Sequence, residues 1–518
     1  MLKTMQQADK DRLFPDLLLQ RHQDMIEHTG RVTPTFKSHL LGQQLYFTSD
    51  PKNIQAMLAT QFQDFGLGPA RRGNMIATLG DGIFVQDGKA WEHSRAMLRP
   101  NFVRDQVSDL DLEERHVQNL LRVMPVQSNG WTAETDIQTL FFRLTIDSAT
   151  EFLFGESVDS QLAEAAGSPL NHNSTKVKDE LAFSQNFDAA QMHMAKRFRL
   201  GDMFWAHNPK AYMDNNRVVN DFISHYVDLA LRKTGAEQKA EEGQKEKYVF
   251  LEALAQQTRD PVEIRAQLLN ILLAGRDTTA SLLSWLFHEL LRNPAIFAKL
   301  RAAVLETFGS FDDPRDITFA TLKGCTYLQH TLNETNRLWS IVPGNGRRAN
   351  KATTLPTGGG PDGKSPIYIR PQTEVQYSIH VMHRRTDIWG EDANEFKPER
   401  FQGRKPGWEY LPFNGGPRIC TCPRFPLSRA CIRWSFTDEC CCRLGIGQQF
   451  ALTEASYVIV RLLQKFDQIE GNAEQLASRT TSNLTLTSCK SDLRLSTESF
   501  GGGALSGLGS PSCVALLL

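Results

Sequence analysis

The residues of this chain that are best placed to do chemistry lie in the loop Phe413–Cys420, which has the sequence FNGGPRIC. Its two glycines and its proline predict a tight turn, in which Gly415 and Gly416 permit positive φ and a close approach of the backbone to a flat group. Arg418 offers a rigid fork of N–H donors that suits a carboxylate. A cysteine that follows such a turn near an arginine is typical of a thiolate ligand, so Cys420 is the candidate ligand.

This loop resembles the haem-binding loop of the cytochrome P450 haem-thiolate monooxygenases, whose pattern is Phe-x-x-Gly-x-Arg-x-Cys-x-Gly. The match ends two places after Cys420, where Cys422 stands instead of the glycine, and the expected continuation IGQQFAL begins only at Ile446. Removing the 25 residues 421–445 gives FNGGPRIC-IGQQFAL, which completes the pattern. We therefore predict that 421–445 is a translated intron, since its possible codons include in-frame fungal splice borders at both ends.

A second candidate site lies inside a long predicted helix at 261–293, in the run AGRDTT. Gly275 in this run costs about 1 kcal/mol relative to alanine and therefore needs a packing or a ligand reason. A close helix crossing is one explanation, whereas the P450 resemblance implies a groove that makes room for dioxygen. The resemblance also implies that Asp277 and Thr278 are the acid and the alcohol that deliver protons there.

Trp91 and Arg95 are four residues apart and share one face of a predicted helix. The spacing alone favours a surface cation–aromatic pair. The resemblance implies instead that this pair binds a haem propionate, because arginine suits a bidentate contact with a carboxylate. Arg418 is a further candidate for cofactor binding. Arg347 is the candidate for a second propionate contact, with the adjacent Arg348 as the alternative.

Glu334 and Arg337 also share a helix face, and such a pair on a surface contributes a few tenths of a kcal/mol. The P450 resemblance implies a different arrangement, in which Glu334, Arg337 and the arginine of the Pro-Glu-Arg-Phe run, Arg400, form a buried triad behind the haem loop. These three residues are then structural.

Composition limits the partners of the chain. Its 518 residues include 58 basic and 59 acidic side chains, so nothing indicates a nucleic-acid partner. No apolar run reaches the length of about 18 residues that predicts a transmembrane helix. Apart from the cysteines of 421–445 and of the region from Cys489 onward, the chain has Cys325 and Cys420 alone, which indicates a reduced compartment without disulfides.

The helix and strand signals indicate a mainly α protein with a small β region. Strands are predicted near Phe36 and at 45–47, and apolar alternation from Val375 to Val381 predicts another strand far along the chain. We expect these strands to form one small sheet from both halves of the chain. The resemblance implies the cytochrome P450 fold, a helical haem domain with minor antiparallel sheets, as a single domain over 1–518.

Two segments are expected to contribute nothing to the packed core. Residues 235–247 are highly charged and predict a solvated loop. The P450 resemblance stops after Ser488, and a glycine-rich stretch of low complexity begins at Gly501. We therefore expect 489–518 to be a non-native or disordered tail that folding does not need.

Longer runs, among them QDGKAWEHSRAMLRPNF and HVMHRRTDIWG, resemble the fungal alkane-inducible branch of the P450 family. This implies a monooxygenase that hydroxylates terminal carbons of long-chain n-alkanes or fatty acids. It implies haem b as cofactor, with electrons from NADPH through NADPH–cytochrome P450 reductase. It also implies attachment to the endoplasmic reticulum membrane through an N-terminal anchor, which we expect to be missing from this sequence.

Three other interpretations stay open. A haem-thiolate isomerase or a peroxide-using relative would more often replace Thr278. A haem-deficient, non-functional product would result from retention of 421–445, because this segment separates Cys420 from the helix that should follow it. A zinc-binding derivative is disfavoured, since the cysteines of 421–445 lack paired Cys-x-x-Cys spacing and a histidine.

Overall fold

The computed structural model describes residues 7–8, 14–40, 42–102, 110–163, 175–236, 249–420, 446–471, 480–482, 486–488 and 492–497. The α-helices in these ranges are α1 (Phe14–Thr29), α2 (Pro51–Gln55), α3 (Pro69–Leu79), α4 (Gly88–Leu98), α5 (Leu110–Val123), α6 (Ile137–Phe154), α7 (Ser160–Ala163), α8 (Thr175–Arg199), α9 (Lys210–Ala236), α10 (Phe250–Gln257), α11 (Pro261–Arg292), α12 (Pro294–Phe308), α13 (Phe319–Gly324), α14 (Thr326–Leu338), α15 (Ile379–Met382), α16 (Thr386–Trp389) and α17 (Ile446–Lys465). The predicted intron 421–445 lies outside the described residues, as does 237–247 of the predicted loop.

The strands of these ranges are β1 (Thr35–Leu40), β2 (Gln43–Thr48), β3 (Phe65–Gly66), β4 (Thr135–Asp136), β5 (Gly344–Ala349), β6 (Thr353–Gly359), β7 (Ser365–Ile369), β8 (Glu374–Ser378), β9 (Gln468–Gly471), β10 (Thr480–Ser482), β11 (Leu486–Ser488) and β12 (Asp492–Ser496). A five-stranded sheet has the order β1-β2-β8-β5-β3. Its β2 and β8 pair in parallel, so the predicted sheet from both halves of the chain is confirmed.

The alternation in 375–381 does not continue as a strand, and this part of the prediction is wrong. The strand β8 ends at Ser378, whose Oγ accepts a hydrogen bond from Val381 N at 3.2 Å. That bond caps the first turn of α15, which contains Ile379 and Val381. Both side chains are buried all the same, because the turn packs them inward.

The predicted long helix is confirmed as α11, and it lies at the centre of the helical part. The Asp260 side chain accepts a hydrogen bond from Val262 N at 2.9 Å, and Pro261 occupies the first turn. Nearly every face of α11 is buried, as is typical of a helix that crosses a core. The helices α6, α9, α14 and α17 pack around it.

The expectation of a dispensable tail is wrong for residues 492–497. The strand β12 pairs with β4 and with β9, and Leu493 and Leu495 are 2% and 1% exposed within the main apolar cluster. The free energy gained by burying two leucines offsets the conformational entropy lost when this strand becomes ordered. The strand β12 therefore belongs to the folded protein. Residues 498–518 lie outside the described part.

No helix within the described residues is both long enough and apolar enough to cross a bilayer. The described part is mainly helical with small sheets, as predicted for the fold class.

Candidate functional site

The Cys420 loop is held by its own backbone and by the segment Ala56–Thr60, a short π-helix. Ile419 N donates to Gly416 O at 3.0 Å, and Cys420 N donates to Phe413 O at 3.3 Å. Gly416 has φ 69°, whereas Gly415 is extended, so only one of the two glycines adopts the positive φ that both permit. The loop therefore presents Cys420 at the end of a rigid turn.

Cys420 carries a free thiol, and burial raises its pKa to about 11, with the Arg95 guanidinium opposing this effect. A neutral thiol is a weak ligand, but a metal cation displaces the proton from a coordinating cysteine outright. The arrangement suits a cysteine that becomes a thiolate when a metal binds to it.

Four arginines surround the approach to this loop: Arg71, Arg95, Arg347 and Arg418. Burial lowers the pKa of Arg418 to about 10; Asp87 opposes this effect, and the other three guanidiniums add to it. Burial also lowers the pKa of Arg71 to about 10, followed by repulsion from Arg347. A partly buried group of cations of this kind favours an anionic ligand, because the negative charge of the ligand offsets the repulsion among the guanidiniums.

Trp91 and Arg95 do not form a surface pair, because Trp91 is 7% exposed. The Arg95 guanidinium lies 5.5 Å from the centre of the Trp91 ring, and Nη1 of Arg95 is 3.5 Å from Ile419 O. Arg418 lies 4.5 Å from the same ring and pairs with Asp87 at 2.6 Å. The helix α4 and the Cys420 loop thus meet at Trp91.

The structure distinguishes between Arg347 and Arg348 as candidates for anion binding. Arg348 already pairs with Asp202 at 2.6 Å and lies 3.7 Å from Glu374. Arg347 is 3% exposed and donates from Nη1 to Gly346 O at 2.7 Å, whereas its Nε has no hydrogen-bond partner among the described residues. The orphaned donor makes Arg347 the better candidate for an anion.

Arg71 is the site residue that sequence reasoning missed. It donates from Nε to Phe84 O at 3.0 Å and from Nη1 to Asn345 at 2.9 Å, which places it beside Arg347. The adjacent Arg72 has the same side chain but forms an exposed pair with Asp81. Nothing in the local sequence distinguishes the two arginines.

The helix crossing does not explain Gly275. A Cβ atom on Gly275 would meet only the Ala149 Cβ, at 4.0 Å, which is ordinary van der Waals contact. Alanine would therefore be tolerated by the crossing of α11 with α6. Open space beside Gly275 agrees better with a groove than with tight packing. One turn further on, Thr278 Oγ1 donates to Ala274 O at 2.7 Å.

Asp277 is 2% exposed and accepts a hydrogen bond from Arg276 Nη1 at 3.2 Å. Burial raises the pKa of Asp277 to about 6, and the Arg276 charge opposes this effect. A carboxyl group with a pKa in this range can both hold and release a proton near neutral pH. The half-buried Thr278 is its neighbour on α11.

Glu334, Arg337 and Arg400 come together as a buried group. Arg337 donates twice to Glu334, at 2.7 and 2.8 Å, and both side chains are fully buried. Arg400 Nε donates to Glu334 Oε1 at 3.2 Å. Arg337 also donates to backbone carbonyls, among them His383 O at 2.7 Å. The interpretation of Glu334 and Arg337 as a surface pair is therefore wrong.

A family model described as "Cytochrome P450" matches residues 16–425 of this chain. The chain belongs to the cytochrome P450 family. It is 49% identical over 488 residues to cytochrome P450 monooxygenase g430 of Fusarium sp, which covers 93% of this chain and 79% of the relative. It is 45% identical to cytochrome P450 52A5 of Candida maltosa, over 89% of this chain and 81% of the relative. The predicted resemblance to the alkane-inducible P450s and the predicted fold class are confirmed.

As a P450, the protein is an oxidoreductase that uses haem iron with a cysteine thiolate ligand and electrons from NADPH through a reductase. The residues present fit this cofactor. A thiol lies at the end of a rigid turn, and four arginines gather beside it, of which Arg347 is buried and the other three are partly buried. Arg347 Nε lacks a partner among the described residues. Haem carries two carboxylates and a metal, which match these groups in charge and in chemistry.

Proposed function

We propose that this P450 hydroxylates the terminal carbon of long-chain n-alkanes or fatty acids. The observation that carries the proposal is the similarity to the 52A P450s, at 45% identity to 52A5 of Candida maltosa and 48% to 52A1 of Candida tropicalis. These relatives cover 89% and 83% of the chain, so the similarity includes the segments on both sides of the site.

Cys420 is the proposed axial ligand. Arg95, Arg347 and Arg418 are proposed to bind the propionates, with Trp91 fixing two of these arginines and Arg71 as an addition from the geometry. When bound, haem supplies the activation of dioxygen and the oxidation of the C–H bond, chemistry that belongs to the cofactor. These arginines neutralise the carboxylates, which reduces the free-energy cost of burying the carboxylates.

Asp277 and Thr278 are proposed to move protons. Thr278 Oγ holds its own proton in the bond to Ala274 O at 2.7 Å and can release it toward the groove beside Gly275. Asp277 is the nearby acid, and burial keeps its pKa close to neutral pH. This alcohol favours a monooxygenase over an isomerase or a peroxide-using relative, because a proton donor is needed when dioxygen is the oxidant.

Glu334, Arg337 and Arg400 are proposed to act structurally. Their buried contacts connect α14 with the Pro398–Phe401 turn and with the carbonyl of His383. His383 Nε2 in turn accepts a hydrogen bond from Leu411 N at 3.0 Å, close to the start of the Cys420 loop. The triad thereby supports the segment that leads into the ligand.

The proposed partners are NADPH–cytochrome P450 reductase and a long-chain apolar substrate, and the proposed location is the endoplasmic reticulum membrane. The similarity to cytochrome P450 monooxygenase alt2 of Alternaria solani, at 42% identity, supports a monooxygenase, and membership of the P450 family supports a reductase as electron donor. The chain has 58 basic and 59 acidic residues, and this balance gives no support for a nucleic-acid partner.

The test compares the full chain with a chain in which 421–445 is deleted, so that Cys420 joins Ile446. If 421–445 is a translated intron, the deleted form is expected to give a strong band at about 450 nm in the reduced carbon monoxide complex, as a thiolate-ligated haem does, and the full chain is expected to give little. Cys420→Ala abolishes the band in the deleted form, whereas Cys325→Ala preserves it. Equal bands from the full and deleted chains would show that 421–445 does not impair haem binding by Cys420.

Substrate is tested on the form that shows the band. With reductase and NADPH, a series of n-alkanes and fatty acids is expected to yield terminal alcohols. A complete 450 nm band together with hydroxylation at internal carbons alone would overturn the proposed regioselectivity. A band in the deleted form with none in the full chain would mean that a product retaining 421–445 is haem-deficient. Absence of the band in both forms would overturn the proposed thiolate ligation by Cys420.

A further inference from the structure

Arg276 of the run AGRDTT is a buried cation, with 2% of its surface exposed. Its guanidinium lies 5.2 Å from the centre of the Phe142 ring and 5.9 Å from that of Phe187. A charge in such an apolar position must be paired, because desolvation of an unpaired cation is costly. The carboxylates that pair with Arg276 are therefore needed to keep this side chain buried.

Asp188 of α8 is the main partner of Arg276. Arg276 Nη2 donates to Asp188 Oδ2 at 3.0 Å, and Nη1 donates to Asp188 Oδ1 in an even shorter contact. Nη1 also reaches Asp277 Oδ1, at 3.2 Å. Asp188 thus has a bidentate pair with Arg276, whereas Asp277 has a single, longer bond.

The contact between Arg276 and Asp277 is not one that a helix provides by itself. Consecutive residues on a helix point in different directions and do not face each other. The long Arg276 side chain reaches Asp277 while its guanidinium is bound to Asp188 of α8. Gln191, three residues after Asp188 on α8, also hydrogen-bonds to Asp277 and favours its charged form. One face of α8 therefore arranges both side chains.

Asp188 is half-exposed, whereas Arg276 and Asp277 are both about 3% exposed in their side chains. Without Asp188, the buried Arg276 would have Asp277 as its remaining carboxylate partner within 4 Å among the described residues. The two would then favour a closer pair in which both carboxylate oxygens are engaged. An Asp277 held in this way would have no carboxylate oxygen left to take up or release a proton beside Thr278.

We propose that Asp188 is a positioning residue, which acts through Arg276 to keep one carboxylate oxygen of Asp277 available for proton transfer beside Thr278. This inference rests on the proposed proton-moving role of Asp277 and Thr278. It assigns to α8 a part in the chemistry, although α8 contributes no reacting group.

The first test is a set of variants in the haem-loaded form, assayed with reductase and NADPH for hydroxylated product per NADPH consumed. Asp188→Asn is expected to lower this ratio by about tenfold with KM changed less than about twofold, because a proton step and not substrate binding is impaired. Its solvent isotope effect is expected to rise. Asp188→Glu restores most of the ratio. The matched control is Asp214→Asn, which removes an exposed carboxylate paired with Arg217 at 3.4 Å and leaves the ratio unchanged.

The second test asks whether Asp188 acts through Arg276. In the Arg276→Gln background, Asp188→Asn is expected to have no further effect on the ratio, since residues that act as one unit are non-additive. Thermal unfolding, which needs no bound haem, is measured on the full chain without substitution, on the two single variants and on the double variant. The effects of the two substitutions on Tm are expected to be non-additive in the same way.

Two outcomes would overturn the inference. One is an Asp188→Asn variant with a lower Tm but an unchanged product ratio and isotope effect, which would mean that the pair only fastens α8 to α11. The other is an equal loss in the presence and absence of Arg276. Thr278→Ala separates this failure from that of the proposed function: if it uncouples turnover and Asp188→Asn does not, only the positioning role is lost.

Discussion

Gly416 lies so close to Leu58 that a Cβ atom on Gly416 would stand 1.8 Å from the Leu58 carbonyl oxygen. The backbone of Gly416 also has a φ of 69°, a conformation that residues other than glycine rarely adopt. Glycine is therefore required here for two independent reasons, space and conformation. This contact sets the turn before Cys420 against the π-helix Ala56–Thr60.

Gly416→Ala is expected to displace the Cys420 loop. Left-handed backbone costs a side chain about 1–2 kcal/mol, and the clash with the Leu58 carbonyl adds about 1–3 kcal/mol. The control is Gly403→Ala, because Gly403 has a φ of 70° but nothing within 4 Å of an added Cβ. Chemical unfolding measures both variants. Equal losses of stability would mean that the close approach to Leu58 contributes nothing.

Arg337→Ala is expected to lower the free energy of unfolding by about 3–5 kcal/mol, since it leaves the buried Glu334 carboxylate without its bidentate partner. Arg217→Ala is the control: it removes an arginine that pairs with Asp214 three residues away at 3.4 Å, with 71% of the arginine side chain exposed. That change is expected to cost at most about 1 kcal/mol. Urea titration of both variants tests this, and similar losses would contradict the importance of burial.

His383 is expected to make the fold sensitive to acid. Burial, followed by the Arg337 charge, lowers the pKa of His383 to about 3, and its Nε2 accepts a hydrogen bond from Leu411 N at 3.0 Å. The unfolded chain binds a proton at a pKa of about 6.5. Between these values the unfolded state carries more protons, so the stability from the neutral ring is present above pH 6.5 and is lost as the pH falls toward 3.

The expected slope is up to about 1.4 kcal/mol for each pH unit between 6 and 4. Thermal or urea unfolding at several pH values measures it. His383→Gln should reduce the slope, and His225→Gln, at an exposed position, should leave it unchanged. An identical slope in the His383 variant would assign the acid sensitivity to other groups.

Thr278→Ala is expected to retain haem and to uncouple oxygen consumption from hydroxylation. Positioned proton donors contribute about 10²-fold or more, so product formation should fall by about this factor while NADPH oxidation continues. Thr307→Ala is the control, because Thr307 Oγ1 donates to Ala303 O at 2.8 Å in the same way but on α12. Measuring product and peroxide per NADPH decides the matter; fully coupled turnover would exclude the proton-moving role.

The sequence by itself determined those features that depend on neighbours along the chain. The ends of α11 follow from a capping aspartate with proline and from the asparagine–proline pair after it, both of which act within one turn. The loop before Cys420 was likewise predictable, because glycine and proline restrict the backbone locally. The strand assignment failed at Ile379, because the hydrogen bond that Val381 N donates to Ser378 Oγ begins a helical turn there.

Only the tertiary structure decided which charged residues belong to the site. Arg347 and Arg348 are adjacent and chemically identical, and they differ in that Asp202 and Glu374 reach Arg348 alone. In the same way, the partner that arranges Arg276 is Asp188, 88 positions earlier in the chain. Periodicity and propensity act over a few residues, whereas the partner of a buried charge is brought from a distant segment by packing, and no local pattern records it.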